Sequence, residues 1–207
     1  LKLFVINRKK MLSYKESLEI LKESKALLEG HFILSSGLHS SQYIQCAQLL
    51  SKPHLSRKIC SSLADKIKNE FKKIDLILSP AIGGIVIGYE MGKLLNKEAI
   101  FAERLNNNFI LRRDFTIPKS SKVLIVEDVI TTGKSSLECV EIIKKSEAEI
   151  VGFACLIDRS QGKSVIKSKI ISLIEIKGAD IGANDYVRGT GQLLQYEHLF
   201  EPGNESS

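Results

Sequence analysis

The sequence predicts an α/β fold: a doubly wound parallel sheet with helices on both faces, preceded by a small N-terminal hood. Two observations carry this. Apolar runs of about five residues recur between Asp75 and Ile176, and helical periodicity fills the gaps between them. Strands that are apolar throughout belong to a sheet covered on both faces. Right-handed crossovers then wind such a sheet in both directions.

The elements follow in order. Ser13 with Glu16 forms a capping box that opens a helix to about Leu28, and Gly30 supplies its stop. Residues 31–50 mix Ser, Gly and apolar side chains and read as extended strands with a turn at Ser35-Ser36-Gly37. Pro53 suits the first turn of the next helix. There Leu55, Ile59, Leu63, Ile67 and Phe71 recur every four residues and make one buried face. Asp75–Ser79 is a buried strand, and a Pro80-Ala81-Ile82-Gly83-Gly84 turn leads into a helix through Leu95. Ala99–Ala102 is a second strand, followed by a polar loop around Asn106-Asn107-Asn108. Lys122–Val126 is a third strand, with a helix from Ser135 to Lys145 after it. Ile150–Ile157 and Ile170–Ile176 are the fourth and fifth strands. Four segments result: a disordered extension (1–10), a helix and hood (11–50), the α/β core (51–176) and a Gly-rich tail of unassigned role (177–207). The first Met is Met11, so residues 1–10 read as an upstream extension to a domain beginning there.

Composition narrows the function. The 207 residues are 43% hydrophobic and 26% charged, the balance of a soluble globular domain that buries a sizeable core. No apolar run approaches the ~20 residues of a spanning helix, and no membrane role is expected. The net charge of +6 comes from cations scattered among acids, and Trp is absent, so no nucleic-acid platform is expected either. Four Cys without a CxxC pairing and four dispersed His offer no zinc site. They fit a reducing compartment, and the expected location is cytoplasmic.

The informative stretch runs from Val123 to Ser135. An apolar strand ends in two adjacent acids, Glu127 and Asp128, and a turn rich in hydroxyls and glycine then opens a helix. Ligands of open α/β sheets sit beyond the carboxyl ends of the strands. The turn's N–H groups, the hydroxyls and the helix N-terminus together make a phosphate cradle. Acids repel phosphate, so Glu127 and Asp128 serve another group, either vicinal ribose hydroxyls or Mg2+. A cradle beside two acids asks for a ribose phosphate. Simple helix capping does not explain the pair, because Asp128 lies seven residues before Ser135. A P-loop is excluded because Asp128 occupies the position where that motif needs its first Gly.

The stretch Glu127, Asp128, Val129, Ile130, Thr131, Thr132, Gly133, Lys134 and Ser135 resembles the phosphoribosyl pyrophosphate (PRPP) binding motif of the type I phosphoribosyltransferases. Further segments resemble the orotate phosphoribosyltransferase branch. His31 to Ser40 is similar to its orotate-side segment, and Ser79 to Ile85 to its pyrophosphate loop. Glu103-Arg104 with Leu111-Arg112-Arg113-Asp114-Phe115 is similar to its mobile loop, and Val151 to Arg159 to the strand ending in an orotate-binding Arg. The resemblance covers about residues 12–176.

It implies Mg2+-dependent transfer of ribosyl 5-phosphate from PRPP to orotate, giving orotidine 5′-monophosphate and pyrophosphate in pyrimidine biosynthesis. The catalytic residues it implies are Asp128, Glu127 and Arg104. PRPP would meet the whole 127–135 motif, Ala81, Gly83, Gly84, Arg104, Arg112 and Arg113. Orotate would meet Thr131, Arg159, Ser36 and Gly37. Mg2+ would be held mainly through PRPP, without a dedicated protein ligand set. A homodimer is implied, each mobile loop completing the neighbour's site. The loop departs from the better-known branch: Arg104, Arg112 and Arg113 are its cations, and it holds neither Lys nor His. Two other readings are a transferase for another base and a PRPP-sensing regulator without catalysis. Arg159 and the Ser36-Gly37 segment, which suit an acceptor bearing a carboxylate, discriminate against the first. Against the second, the first 50 residues contain no second recognition helix after a tight turn.

Overall fold

The computed structural model describes residues 11–33 and 39–176. The proposed extension (1–10), the tail (177–207), and Ser36 and Gly37 lie outside the described residues. Along the chain stand α1 (Tyr14–Glu23), β1 (Leu27–Ile33), β2 (His39–Ile44), α2 (Cys46–Leu50) and α3 (Pro53–Glu70). These are followed by β3 (Leu76–Pro80), α4 (Gly83–Leu95), β4 (Glu98–Leu105) and β5 (Asn108–Leu111). The last elements are β6 (Lys122–Ile130), α5 (Lys134–Lys145), β7 (Glu149–Asp158) and β8 (Ile170–Glu175).

The six-stranded sheet has the order β5-β4-β3-β6-β7-β8. Every pairing is parallel except β4 with β5. From β3 the chain winds outward to β4 on one side. From β6 it winds to β7 and β8 on the other, so the topological switch point lies between β3 and β6. The doubly wound sheet expected from the sequence is present, with an antiparallel edge strand added to it. That strand arises because Asn106 and Asn107 both adopt positive φ (48° and 65°). Such a two-residue turn matches the twist of a hairpin, and it folds the expected polar loop back as β5.

The sheet is buried on both faces. Leu124 and Val126 of β6 join a core with Leu63 and Ile67 of α3 and Ile87 and Met91 of α4. Val123 and Ile125 join a second core with Cys139 and Ile143 of α5. This period of two along β6 fixes the site, because the acids continue it. On α3, Leu55, Ile59, Leu63 and Ile67 are buried at 3% exposure or less. Phe71 lies just past the helix as its C-cap, with its ring over Gly152, where a β-carbon would collide with it.

Three sequence boundaries need correction. The first helix stops at Glu23, not near Leu28, and Gly30 belongs to β1. The stop is a Schellman motif: the Ala26 N–H donates to Leu21 O and the Lys25 N–H to Lys22 O. Lys25, at φ 62°, takes the left-handed position usually held by Gly. Residues 46–50 are helical, because Cys46, Leu49 and Leu50 point together into the core. The third strand runs on to Ile130, so Glu127 and Asp128 lie within it and not beyond it.

Candidate active site

The carboxyl ends of β3 and β6 lie side by side, and each leads into a helix without a side-chain cap. After β3 the turn enters α4 at Gly83, and after β6 it enters α5 at Lys134. Neither first turn contains an acid. The two positive helix ends are therefore open to anions at the switch point.

Strand parity sends the paired acids to opposite faces. Glu127 follows Val123 and Ile125 toward α5, where the Ser136 hydroxyl donates to its Oε2 at 2.5 Å. Glu127 is 8% exposed. Burial raises its carboxyl to about 7, with the Ser136 hydrogen bond opposing and the Asp128 charge adding to the rise. Asp128 follows Leu124 and Val126 toward α4. It accepts the Val129 N–H at 2.9 Å, and burial raises its carboxyl against that hydrogen bond.

The other motif residues divide by role. Val129 and Ile130 complete the strand, and the Ile130 side chain is buried in the second core. That side chain is therefore closed to a ligand, and only the backbone of Ile130 faces the turn. Thr131, Thr132 and Lys134 are exposed around buried Gly133. Gly133 stands at φ 80°, and a β-carbon there would meet Ser164 Oγ at 2.6 Å and Ile166 at 2.9 Å. The Thr132 hydroxyl lies 3.4 Å from the Lys134 N–H. The Val165 N–H donates to Thr132 O, and the Arg159 N–H to Ile130 O, so the chain after β7 braces the turn.

Gly83 and Gly84 stand at the start of α4 with helical backbone, and what requires glycine there is space. A β-carbon on Gly83 would fall 2.9 Å from both Asp128 carboxylate oxygens. On Gly84 it would press on Ser79 Cβ at 3.1 Å and Val126 O at 3.3 Å. Ala81 anchors the turn through its N–H to Ala102 O.

The loop arginines flank the site in ion pairs. Arg104 holds Glu138 of α5 at 3.0 Å, lies 4.2 Å from the Phe109 ring centroid and donates to Asn107 O. Arg112 and Arg113 both reach Glu103, at 3.5 and 2.7 Å. Arg159 follows directly on β7, half-buried. The β1–β2 ribbon brings His31 Nε2 to 2.6 Å from His39 Nδ1. Ser136, Glu138, Ser164 and Ile166 are the site-shaping residues that the sequence reading missed. Their roles depend on contacts across the fold, and no motif spacing marks them.

Two uncapped helix ends and an acid-bearing strand thus meet at the switch point of the sheet. Residues 46–188 match the family model of the phosphoribosyl transferase domain. An orotate phosphoribosyltransferase of Parvibaculum lavamentivorans is 48% identical, over 76% of this chain and 84% of that protein. One from Erythrobacter litoralis is 46% identical, over 86% and 93%. The chain belongs to the orotate phosphoribosyltransferase family, and it is a transferase. In fold it matches the crystal structure of orotate phosphoribosyltransferase from Aeropyrum pernix, with a TM-score of 0.68 at 23% identity, covering 76% of this chain and 92% of that one. An adenine phosphoribosyltransferase from Thermoanaerobacter pseudethanolicus matches at 0.58 and 17%, over 65% and 88%. No described helix is long and apolar enough to cross a membrane.

Proposed function

We propose that this site transfers ribosyl 5-phosphate from PRPP to a ring nitrogen of orotate, releasing pyrophosphate. The observation that carries the reading is the pair of uncapped helix ends at neighbouring strands, with Asp128 beside the first and Glu127 tied to the second. The turn from Thr131 to Ser135 takes the 5-phosphate through its amides and hydroxyls. Glu127 and Asp128 accept the ribose hydroxyls. The Ala81–Gly84 turn receives the pyrophosphate, with Arg104, Arg112 and Arg113 exchanging their carboxylate partners for it. Arg159 and Thr131 hold orotate, the guanidinium pairing with its carboxylate; Ser36 and Gly37, proposed for the same role, lie outside the described residues.

The transition state gathers positive charge on the sugar and negative charge on the leaving group. Buried carboxylates and fixed donors at those two ends are therefore the catalytic machinery. Among the described residues no three metal-ligating side chains cluster. Mg2+ would come in on the phosphates of PRPP, where it would neutralise charge on the departing pyrophosphate. The chain's own part is to hold the sugar and admit that complex.

A homodimer fits the surface of α4. Ile82, Val86 and Tyr89 stand at 86%, 46% and 66% exposure on one stripe beginning at the pyrophosphate turn, and a second copy would cover it. Sedimentation of Tyr89→Arg tests this pairing.

The function is tested with PRPP and Mg2+ against orotate, uracil, adenine and hypoxanthine in parallel. Pyrophosphate release with orotate alone is the expected result. Turnover with another base alone overturns the acceptor assignment. PRPP binding without any turnover turns the reading to a sensor.

A further inference from the structure

We infer that Ser136 is a positioning residue of this site: its buried hydroxyl holds the Glu127 carboxylate in register with the amides at the start of α5, and so sets the spacing at which a ribose 5-phosphate is gripped. The inference rests on the proposed reading of Glu127 as a ribose-hydroxyl acceptor and of the 131–135 turn as the phosphate cradle.

Ser136 is the third residue of α5 and has 0% exposure. A helical serine ordinarily turns its hydroxyl to solvent or back to the carbonyl four residues earlier. This one instead crosses to β6 and donates to Glu127 Oε2 at 2.5 Å. Among the described residues it is the hydrogen-bond donor to that carboxylate. A hydrogen bond to an ionised, buried acceptor is short and directional, so it fixes position as well as energy.

Register matters because the sugar is one compact unit. Its hydroxyls and its 5-phosphate are held by two separate elements, a strand and a helix end. The core packing of β6 against α5 sets those elements side by side, and the Ser136–Glu127 hydrogen bond is the direct polar cross-link that fixes the carboxylate relative to the helix end. The other groups around Glu127 do not substitute for it. Asp128 projects to the opposite face, Cys155 lies beside Glu127 on β7, and Cys139 stands one turn further along α5. Burial pushes both thiols upward, so they are neutral at working pH.

The test measures kcat and the KM for PRPP from pH 5.5 to 9 in the full chain, comparing wild type with Ser136→Ala, Ser136→Thr and Ser136→Cys. Loss of the donor is expected to raise the PRPP KM about tenfold and to move the acid limb of kcat/KM upward by about one pH unit. Threonine should restore both, and cysteine, a weak donor of similar size, should fall between. An Ala variant that melts lower but keeps the wild-type KM and acid limb would show a packing role and overturn the inference. If Ala does not fold, PRPP titrations of wild type and Glu127→Gln over the same pH range decide. An acid limb identical in the two proteins also overturns it. Failure of the functional reading looks different: wild type would bind PRPP yet not transfer to orotate, while PRPP binding would still report on the hydroxyl.

Discussion

Gly83 lies directly against Asp128: a β-carbon at position 83 would sit 2.9 Å from each oxygen of the carboxylate. The first residue of α4 and the second acid of β6 are thus matched across the switch point. The match is steric, and it explains a glycine where the backbone is ordinary helix.

Gly83→Ala is therefore expected to act on Asp128 rather than on the helix. Alanine's advantage of about 1 kcal/mol belongs to helix interiors and is small at this first position, while the carboxylate must move, so stability should hold or fall slightly. Turnover should fall as the carboxylate is pushed aside. Asp128→Asn, which keeps the shape and loses the charge, should lower turnover further, since such groups supply a few kcal/mol of transition-state stabilisation. Melting curves beside steady-state rates check both. An Asp128→Asn enzyme within about twofold of wild type would remove that residue from the mechanism.

Glu127 should cost the protein stability at neutral pH. Its folded carboxyl sits at about 7 against an ordinary 4.5, with burial the main cause. The folded state thus binds the extra proton. Stability from this group is highest below the unfolded value, falls as pH rises from 4.5 through 7, and is flat above. At about 1.4 kcal/mol per pK unit the penalty reaches up to ~3 kcal/mol. Glu127→Gln should melt higher than wild type at pH 8, similarly at pH 4.5, and turn over poorly. Thermal melts at the two pH values decide it; an equal gain at both would point to packing instead.

Gly133→Ala combines a left-handed backbone with a collision against Ser164 and Ile166. Roughly 2–4 kcal/mol of lost stability is expected. The braced turn would shift with it, so PRPP binding should weaken more than orotate binding. Denaturant unfolding and calorimetric titration of each substrate measure the two effects.

The Arg104–Glu138 pair is about 40% exposed on both sides, which limits its worth to under about 1 kcal/mol. Glu138→Gln should leave melting nearly unchanged and lower the KM for PRPP, because Arg104 no longer has to leave a carboxylate. Arg104→Ala should raise that KM and lower turnover, while orotate binding to the resting enzyme stays as in wild type. A large loss of orotate affinity in Arg104→Ala would move this side chain to the base pocket.

Local patterns along the chain were enough for the sheet and the family. Continuous apolar runs from Leu76 to Glu175 can be buried only in a two-sided sheet. The order acid, acid, hydroxyl, glycine from Glu127 to Ser135 is the pattern that pointed to the family to which the chain belongs. Both signals are local and survive in one dimension. Tertiary structure decided what depends on contact. Lys25 ends α1 in a left-handed conformation because packing overrides its weak preference against it. Asn106-Asn107 fold a polar loop into an edge strand because β4 offers a free side. The strand of the acids runs on to Ile130 because β7 pairs with it that far. Strand parity then parts Glu127 from Asp128, giving one to Ser136 and the other to the space that Gly83 leaves. A side chain's partner nine or forty-five residues away lies beyond any motif's spacing, since only the packed sheet sets which faces meet.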